Sequence, residues 1–294
     1  MIIVHQMAKV ASMAWVEAAR RTGAEPEHTH FLTQHNLQHI ASILQAPPEE
    51  NTIVNPLMVR TILRKGRRAT ASIGTARELG EEIRVITGMR DPVARSVSVL
   101  SFFADFCGHA SRPLSARDGA EVGIVCAALT DLWRLVLAGT PPAGTFDRLM
   151  WYLIGSYRTW FNEELQSVFD VDLFSRAPFP LKDGAQRLHG RGVEILVYRA
   201  EDLLPQAPAR RALLEAAQTF LGAPTITLPQ INTAATRRSY PLYTQTRERF
   251  RLPPALLEEI YDIPVIRHFY SAGEISAFKA RWQTPSLPGR PSDS

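Results

Sequence analysis

The chain is poor in the features that settle a protein's class at a glance. It has two cysteines, Cys107 and Cys126, in 294 residues. Two thiols build no disulfide framework, and these stand in no metal-ligand spacing; both are expected to be buried free thiols. Lysine is scarce, at four of the 33 basic residues. The net charge is only +4. No dense Lys/Arg stripe with interleaved aromatics occurs, so nucleic acid is not an expected partner. Long apolar runs are absent as well. The most apolar stretch, 122–137, carries Asp131 and Arg134 and falls short of the roughly 18 residues of a membrane span. The opening Met1, Ile2, Ile3 and Val4 run straight into His5 and Gln6, too short for the apolar core of a signal peptide. A cytoplasmic location is the expectation. Neither G-x-x-x-x-G-K-[ST] nor G-x-G-x-x-G occurs, which weighs against an ordinary nucleotide kinase and a Rossmann dehydrogenase.

What is present is a globular pattern. Apolar residues make up 45% of the chain and charged residues 21%, enough to bury a large core without staples. Short apolar, β-branched runs at 1–4, 28–32, 84–88 and 193–198 read as strands, and 52–54 as a further short one. Helices are expected at 12–22, behind Pro56, behind Asp91-Pro92, through 121–169 with a break at the Pro/Gly turn 139–144, and at 210–221, 253–260 and 271–282. Gly66 to Arg68 reads as a basic turn and 225–243 as loop. Strands alternating with helices imply a parallel sheet. The expectation is one α/β domain over 1–284 with a helical insertion around 105–165. The Pro/Ser-rich tail, 285–294, is expected to be disordered.

Two segments suit phosphate. Residues 5–15 (HQMAKVASMAW) place Lys9 and Ser12 where the first strand turns into the first helix. A helix start offers unpaired N–H groups and a positive dipole end. Lys9 adds a full charge, Ser12 a hydroxyl, and small Ala11 lets an oxyanion approach the backbone. Residues 84–103 (RVITGMRDPVARSVSVLSFF) place Arg90 at the end of a buried strand, where open α/β sheets bind ligands. Ser98 follows eight residues on, about two helical turns, with Arg95 between. A guanidinium near a hydroxyl suits a phosphate monoester. A plainer account is that Asp91 caps the helix and the arginines are solvated.

Together the segments resemble the PAPS-dependent sulfotransferases, in which a Lys-x-Gly-[Ser/Thr]-Thr loop and a later Arg with a Ser eight residues on bind 3′-phosphoadenosine 5′-phosphosulfate (PAPS). Lys9, Ala11 and Ser12 fall on the first motif; Arg90 and Ser98 fall on the second. ILVYRAEDLL at 195–204 is similar to a third family segment, with Ala200 where Tyr is usual. HQMAKVAS, RDPVARSVS, WFNEEL, DVDLF and RHFYSAGEI resemble a bacterial group of sulfotransferase-like capsular polysaccharide synthesis proteins. Ala11 stands where Gly is usual, and Met13 where a second hydroxyl is usual.

The resemblance implies a P-loop-NTPase-like three-layer sandwich of sulfotransferase type. It implies PAPS as donor, 3′-phosphoadenosine 5′-phosphate (PAP) as product, and no metal. It implies a hydroxyl acceptor, either a glycan or a small molecule. Lys9, Val10, Ala11, Ser12 and Met13 would cradle the phosphosulfate, with Lys9 beside the bridging oxygen. Arg90 and Ser98 would hold the 3′-phosphate, and Arg267 near the C-terminus could add a basic contact.

Such a reaction needs a base, and histidine is the commonest choice. The segment 27–39 (EHTHFLTQHNLQH) holds four. His28 and His30 share one strand face, with His30 nearer the ligand end. His35 and Glu17 are the other candidates. A His-x-His pair also suits zinc, but no third ligand stands at a usual spacing. Trp151, Tyr152, Trp160 and Phe161 suit either a core or a sugar-binding cleft. Arg64, Lys65, Arg67 and Arg68 suit either a solvated face or a groove for an anionic glycan. Two other function classes stay open: a non-catalytic relative in polysaccharide assembly, and a kinase-like phosphotransferase using ATP.

Overall fold

The structure, a computed structural model, describes residues 1–44, 56–107, 119–229 and 240–284. The expected strand at 52–54, the tail at 285–294 and part of the helical insertion lie outside those residues, as does the side chain of Cys107.

Among the described residues, five strands form one sheet in the order β2-β1-β3-β5-β4. β1 (Ile2–His5), β2 (Glu27–Thr29), β3 (Ile83–Met89) and β5 (Val193–Arg199) are parallel. β4 (Ala185–Gly190) closes one edge antiparallel to β5. Its AQRLHG pairs on one side only among the described strands and has little apolar alternation, which is why the strand escapes a reading by pattern.

The central strands are apolar on both faces, as a covered parallel sheet requires. Val4, Ile86, Leu196 and Tyr198 pack with Trp15, Val16, Leu213, Ala217 and Phe220. Those partners belong to α1 (Ser12–Arg21) and α8 (Arg210–Leu221). Ile3, Val85, Met89, Ile195 and Val197 belong to a larger core on the other face. It is supplied by α2 (Gln34–Leu44), α3 (Pro56–Glu78), α4 (Pro92–Cys107), α5 (Gly119–Leu137) and α6 (Thr145–Gly155). After α6 come a 3₁₀ turn (Ser156–Arg158), a π-helix (Phe161–Gln166) and the single-turn α7 (Ser167–Phe169). The C-terminal α9 (Tyr240–Arg249), α10 (Pro254–Tyr261), α11 (Pro264–Phe269) and α12 (Ala272–Trp282) complete that side. The result is a mostly parallel sheet flanked by helices, compatible with a three-layer sandwich.

Several expectations need correction. Gly66 to Arg68 is not a turn: it lies inside the 23-residue α3. The buried Val59, Leu63, Ala69, Ile73 and Ala76 form a helical stripe that carries the chain through the glycine. Gly66 is needed for close packing. A Cβ there would stand 2.5 Å from Leu37 Cδ2 and 2.6 Å from Phe31 O. The strand expected at 28–32 is Glu27–Thr29, because the chain turns at His30 into α2. Residues 240–249 are helix rather than loop, while 230–239 lie outside the described residues. Trp160 and Phe161 are core; Trp151 and Tyr152 are half-buried against it. Cys126 is half-buried, and burial raises its thiol pKa.

Two glycines of α3 give a paired test. A Cβ at Gly74 would meet nothing within 4 Å. Gly74→Ala is expected to stabilise by up to about 1 kcal/mol through helix propensity. Gly66→Ala is expected to destabilise by about 1–3 kcal/mol through overpacking. Urea midpoints of the two variants check both signs.

Candidate functional site

In the order β2-β1-β3, the chain leaves β1 for one neighbour and later returns to its other side. The carboxyl ends of β1 and β3 therefore flank a topological switch point, where open α/β sheets bind ligands. Both phosphate-like segments end there. Arg90 Nη1 donates to the Lys9 carbonyl at 3.1 Å, so two segments 81 residues apart touch.

The loop before α1 has an unusual backbone. Lys9 and Ala11 both adopt the left-handed region, at φ 71° and 70°. Left-handed residues in a turn gather backbone N–H groups into a concave, anion-attracting face. Ala11 is the N-cap of α1 and makes no side-chain cap hydrogen bond. The first N–H groups of α1, including those of Ser12 and Met13, thus lack a side-chain cap. Ser12 is buried and Ala11 exposed. Lys9 Nζ stands 4.7 Å from the Phe102 ring centroid. A Cβ is strained in the left-handed Ala11, where a glycine would not be.

This loop is held from beneath. Tyr198 on β5 is fully buried, and its hydroxyl lies 2.9 Å from Gln6 Oε1 and also reaches the Val10 carbonyl. The ring gets there by lying over Gly88 of β3. A Cβ at Gly88 would come within 2.7 Å of it.

His30 joins the same cluster. Its Nδ1 lies 2.7 Å from the Gln6 carbonyl. A carbonyl only accepts, so Nδ1 carries the proton and Nε2 of the neutral ring keeps its lone pair. Burial drives the His30 pKa down to about 4, against the Gln6 hydrogen bond, with Lys65, His5 and Lys9 adding to the drop. The His28 ring lies 5.1 Å from that of His30, at 84°. Burial and the His30 charge take the His28 pKa to about 2.

Behind His30 stands a buried network that no local motif announces. Glu164, on the π-helix, is 0% exposed. It accepts from the Leu32 N–H at 2.7 Å, the Thr33 hydroxyl at 3.0 Å and Asn36 Nδ2 at 2.6 Å. His5 Nε2 stands 3.1 Å away, off the line of an ideal hydrogen bond. Burial alone would raise the Glu164 carboxyl; His5, Asn36 and Leu32 outweigh it and hold the carboxyl below its usual range. The carboxylate thereby fastens the turn between β2 and α2. Trp160 Nε1 adds a bond to the His30 carbonyl at 3.1 Å. WFNEEL was visible in the sequence, but its partners lie over 120 residues away.

The remaining candidates lie on four helices, α4, α2, α1 and α11. Ser98 is half-buried two turns into α4. His35 is exposed on the first turn of α2. Glu17 pairs with Arg21 at 3.2 Å. Arg267 is 63% exposed and pairs with Asp262. No described contact joins His35, Glu17 or Arg267 to the loop. Arg95 is not a solvated or ligand-facing arginine. It is 0% exposed, and its Nη2 donates to the Leu153 and Ile154 carbonyls at 2.8 Å each.

Asp91 does cap α4, accepting from the Val93 N–H at 3.1 Å. It also accepts from the Tyr261 hydroxyl at 2.6 Å and from Trp282 Nε1 at 2.8 Å. The YRAEDL segment is bound into its surroundings by ion pairs and hydrogen bonds. Arg199 makes a bidentate pair with Asp202 and a further bond to Glu274, tying β5 to α12. Glu201 accepts from the Asp91 N–H and the Tyr270 hydroxyl.

Among the described residues no group of three His, Cys, Asp or Glu is arranged to hold a metal. No described helix is long and apolar enough to cross a membrane. The chain matches no family model, no curated protein and no solved structure.

Ala11→Gly relieves left-handed strain and is expected to stabilise by about 1 kcal/mol; a lower urea midpoint would contradict the strained backbone. His28 and His30 stay neutral when folded but take up protons near pH 6.5 when unfolded. The unfolded state then binds more protons, so stability falls as pH drops from about 6.5 towards 4. A His28→Gln, His30→Gln double variant is expected to flatten that limb, as read by urea midpoints at pH 7 and pH 5.

Proposed function

We propose that this chain is a sulfotransferase. It moves the sulfuryl group of PAPS to a hydroxyl of a carbohydrate or small-molecule acceptor, on a P-loop-NTPase-like fold of sulfotransferase type. The observation that carries the reading is the contact of Arg90 with the Lys9 carbonyl at the switch point. It brings a loop suited to a 5′-phosphosulfate beside an arginine suited to a 3′-phosphate.

The residues fit such a donor. The left-handed Lys9 and Ala11 and the N–H groups at the start of α1 form an oxyanion cradle. Lys9, Val10, Ala11, Ser12 and Met13 would hold the phosphosulfate, and Arg90 and Ser98 the 3′-phosphate. PAPS supplies the activated sulfuryl group. The acceptor oxygen forms a bond to sulfur as the sulfur–oxygen bond to the phosphate breaks. His30 Nε2 takes the acceptor's proton, and Lys9 meets the charge appearing on the departing phosphate.

The low His30 pKa reflects burial and neighbouring cations in the ligand-free protein. An anionic donor on Lys9 offsets part of that field and makes His30 a stronger base. His30 is favoured over His35 and Glu17 because its tautomer is fixed and its segment touches the loop.

Calorimetry with PAP and with ATP tests the reading. PAP is expected to bind and ATP not. Arg90→Ala should weaken PAP by about 10- to 100-fold, the worth of a charged hydrogen bond. Lys9→Ala should abolish turnover of radiolabelled PAPS. A folded protein that ignores PAP refutes the proposal, and a preference for ATP would revive the kinase-like reading. Binding without turnover on any acceptor would leave a non-catalytic relative, the reading that Ala11 and Met13 favour.

A further inference from the structure

The β2 side of the sheet carries positive charge beyond what the proposed donor cradle uses. β2 is the edge strand, and the His28–His30 pair stands at its carboxyl end with rings 5.1 Å apart. His28 Nε2 is buried there with no hydrogen-bond partner among the described residues. Helix α3 runs alongside. Gly66 lies against the Phe31 carbonyl, at 2.6 Å from its would-be Cβ. That close approach sets the preceding residue, Lys65, beside the His30–Phe31 turn.

Direction along α3 is fixed by further contacts. Arg68 Nε and Ser72 Oγ both reach Glu27 Oε1, at 2.8 and 3.4 Å, at the start of β2. One turn back, Arg64 and Lys65 stand towards the carboxyl end and are exposed. Arg20, in the last turn of α1, is also exposed, and its charge is felt at Lys65. Arg68 is neutralised by Glu27, and Arg21 by Glu17. Among the described residues, Arg20, Arg64 and Lys65 have no carboxylate within ion-pair distance. They act on one another: after burial, Arg64 and Arg20 are what lower the Lys65 pKa, and Lys65 and Arg20 both bear on His28. Crowded like charges without a counter-ion favour an anion between them.

We infer that the acceptor is an acidic sugar: a carboxylate or sulfate ester rests on Arg20, Arg64 and Lys65 while a neighbouring hydroxyl faces His30. The inference rests on the sulfotransferase reading, since it names the acceptor for that reaction.

The test is calorimetry on the full chain with PAP bound. The probes are an oligogalacturonate tetrasaccharide, its methyl ester, a sulfated tetrasaccharide and its unsulfated form. The acidic probes are expected to bind at least about tenfold tighter than their neutral counterparts, and more weakly as salt is raised. An Arg20→Gln, Lys65→Gln double variant changes only exposed side chains. It should lose that advantage and keep its PAP affinity. Tighter binding of the carboxylated or of the sulfated probe identifies the anionic group. Equal binding of acidic and neutral probes, or an advantage that survives in the double variant, overturns the acidic acceptor and leaves the donor reading standing. Failure to bind PAP at all overturns both.

Discussion

One glutamine side chain and its own carbonyl hold the site together. Gln6 Oε1 accepts from Tyr198, whose hydroxyl also reaches the Val10 carbonyl; the Gln6 carbonyl takes the proton of His30 Nδ1. The loop after β1, the tyrosine of β5 and the histidine after β2 thus meet at one residue. Gln6 is 0% exposed, so none of these bonds competes with water, and each partner is costly to leave unmatched. The left-handed Lys9 and Ala11 persist because the backbone between them is held at Val10. Strained residues survive where the surroundings over-determine them.

A second layer holds the first in place. Glu164 sits under the β2–α2 turn with several donors turned inward, a full charge taken out of water and repaid by hydrogen bonds. Asn36 extends the network to the Tyr152 hydroxyl at 2.5 Å. On the other flank, Asp91 and Glu201 gather Tyr261, Trp282 and Tyr270 from the C-terminal helices. Burial raises both carboxyls against those donors. The C-terminal helices are therefore fastened to the residue next to Arg90.

The parts of the fold legible in the sequence are those where one physical signal dominates. β1, β3 and β5 are near-continuous apolar runs because both faces are covered. α8 shows its apolar stripe and ends at Gly222, at φ 65°. α12 announces itself through Ser271 and Glu274, which form a reciprocal capping box. α2 and α9 were hidden because QHNLQHIASIL and YPLYTQTRER are rich in polar residues, and packing by the neighbouring helices decides them. For the candidate site, the placing of the loop and of the Arg90 segment was legible because each is local. Tyr198, Glu164 and His5 were not, since each acts on a partner brought near only by the sheet. Arg95 misled for the same reason, as its acceptors lie on a helix nearly sixty residues away.

That last contact says something about modularity. Arg95 belongs to the helix that follows Arg90, yet its guanidinium ends in the carbonyls at the close of α6. Burial pulls its pKa to about 10, and Nε and Nη1 find no partner among the described residues. The segment read as an insertion thus supplies the oxygens that make a buried cation tolerable in the motif helix. Cutting α5 and α6 away would strand that cation. The added helices and the helix after Arg90 therefore share a buried seam, and neither side of it can be bared without exposing the other's unmet polar groups.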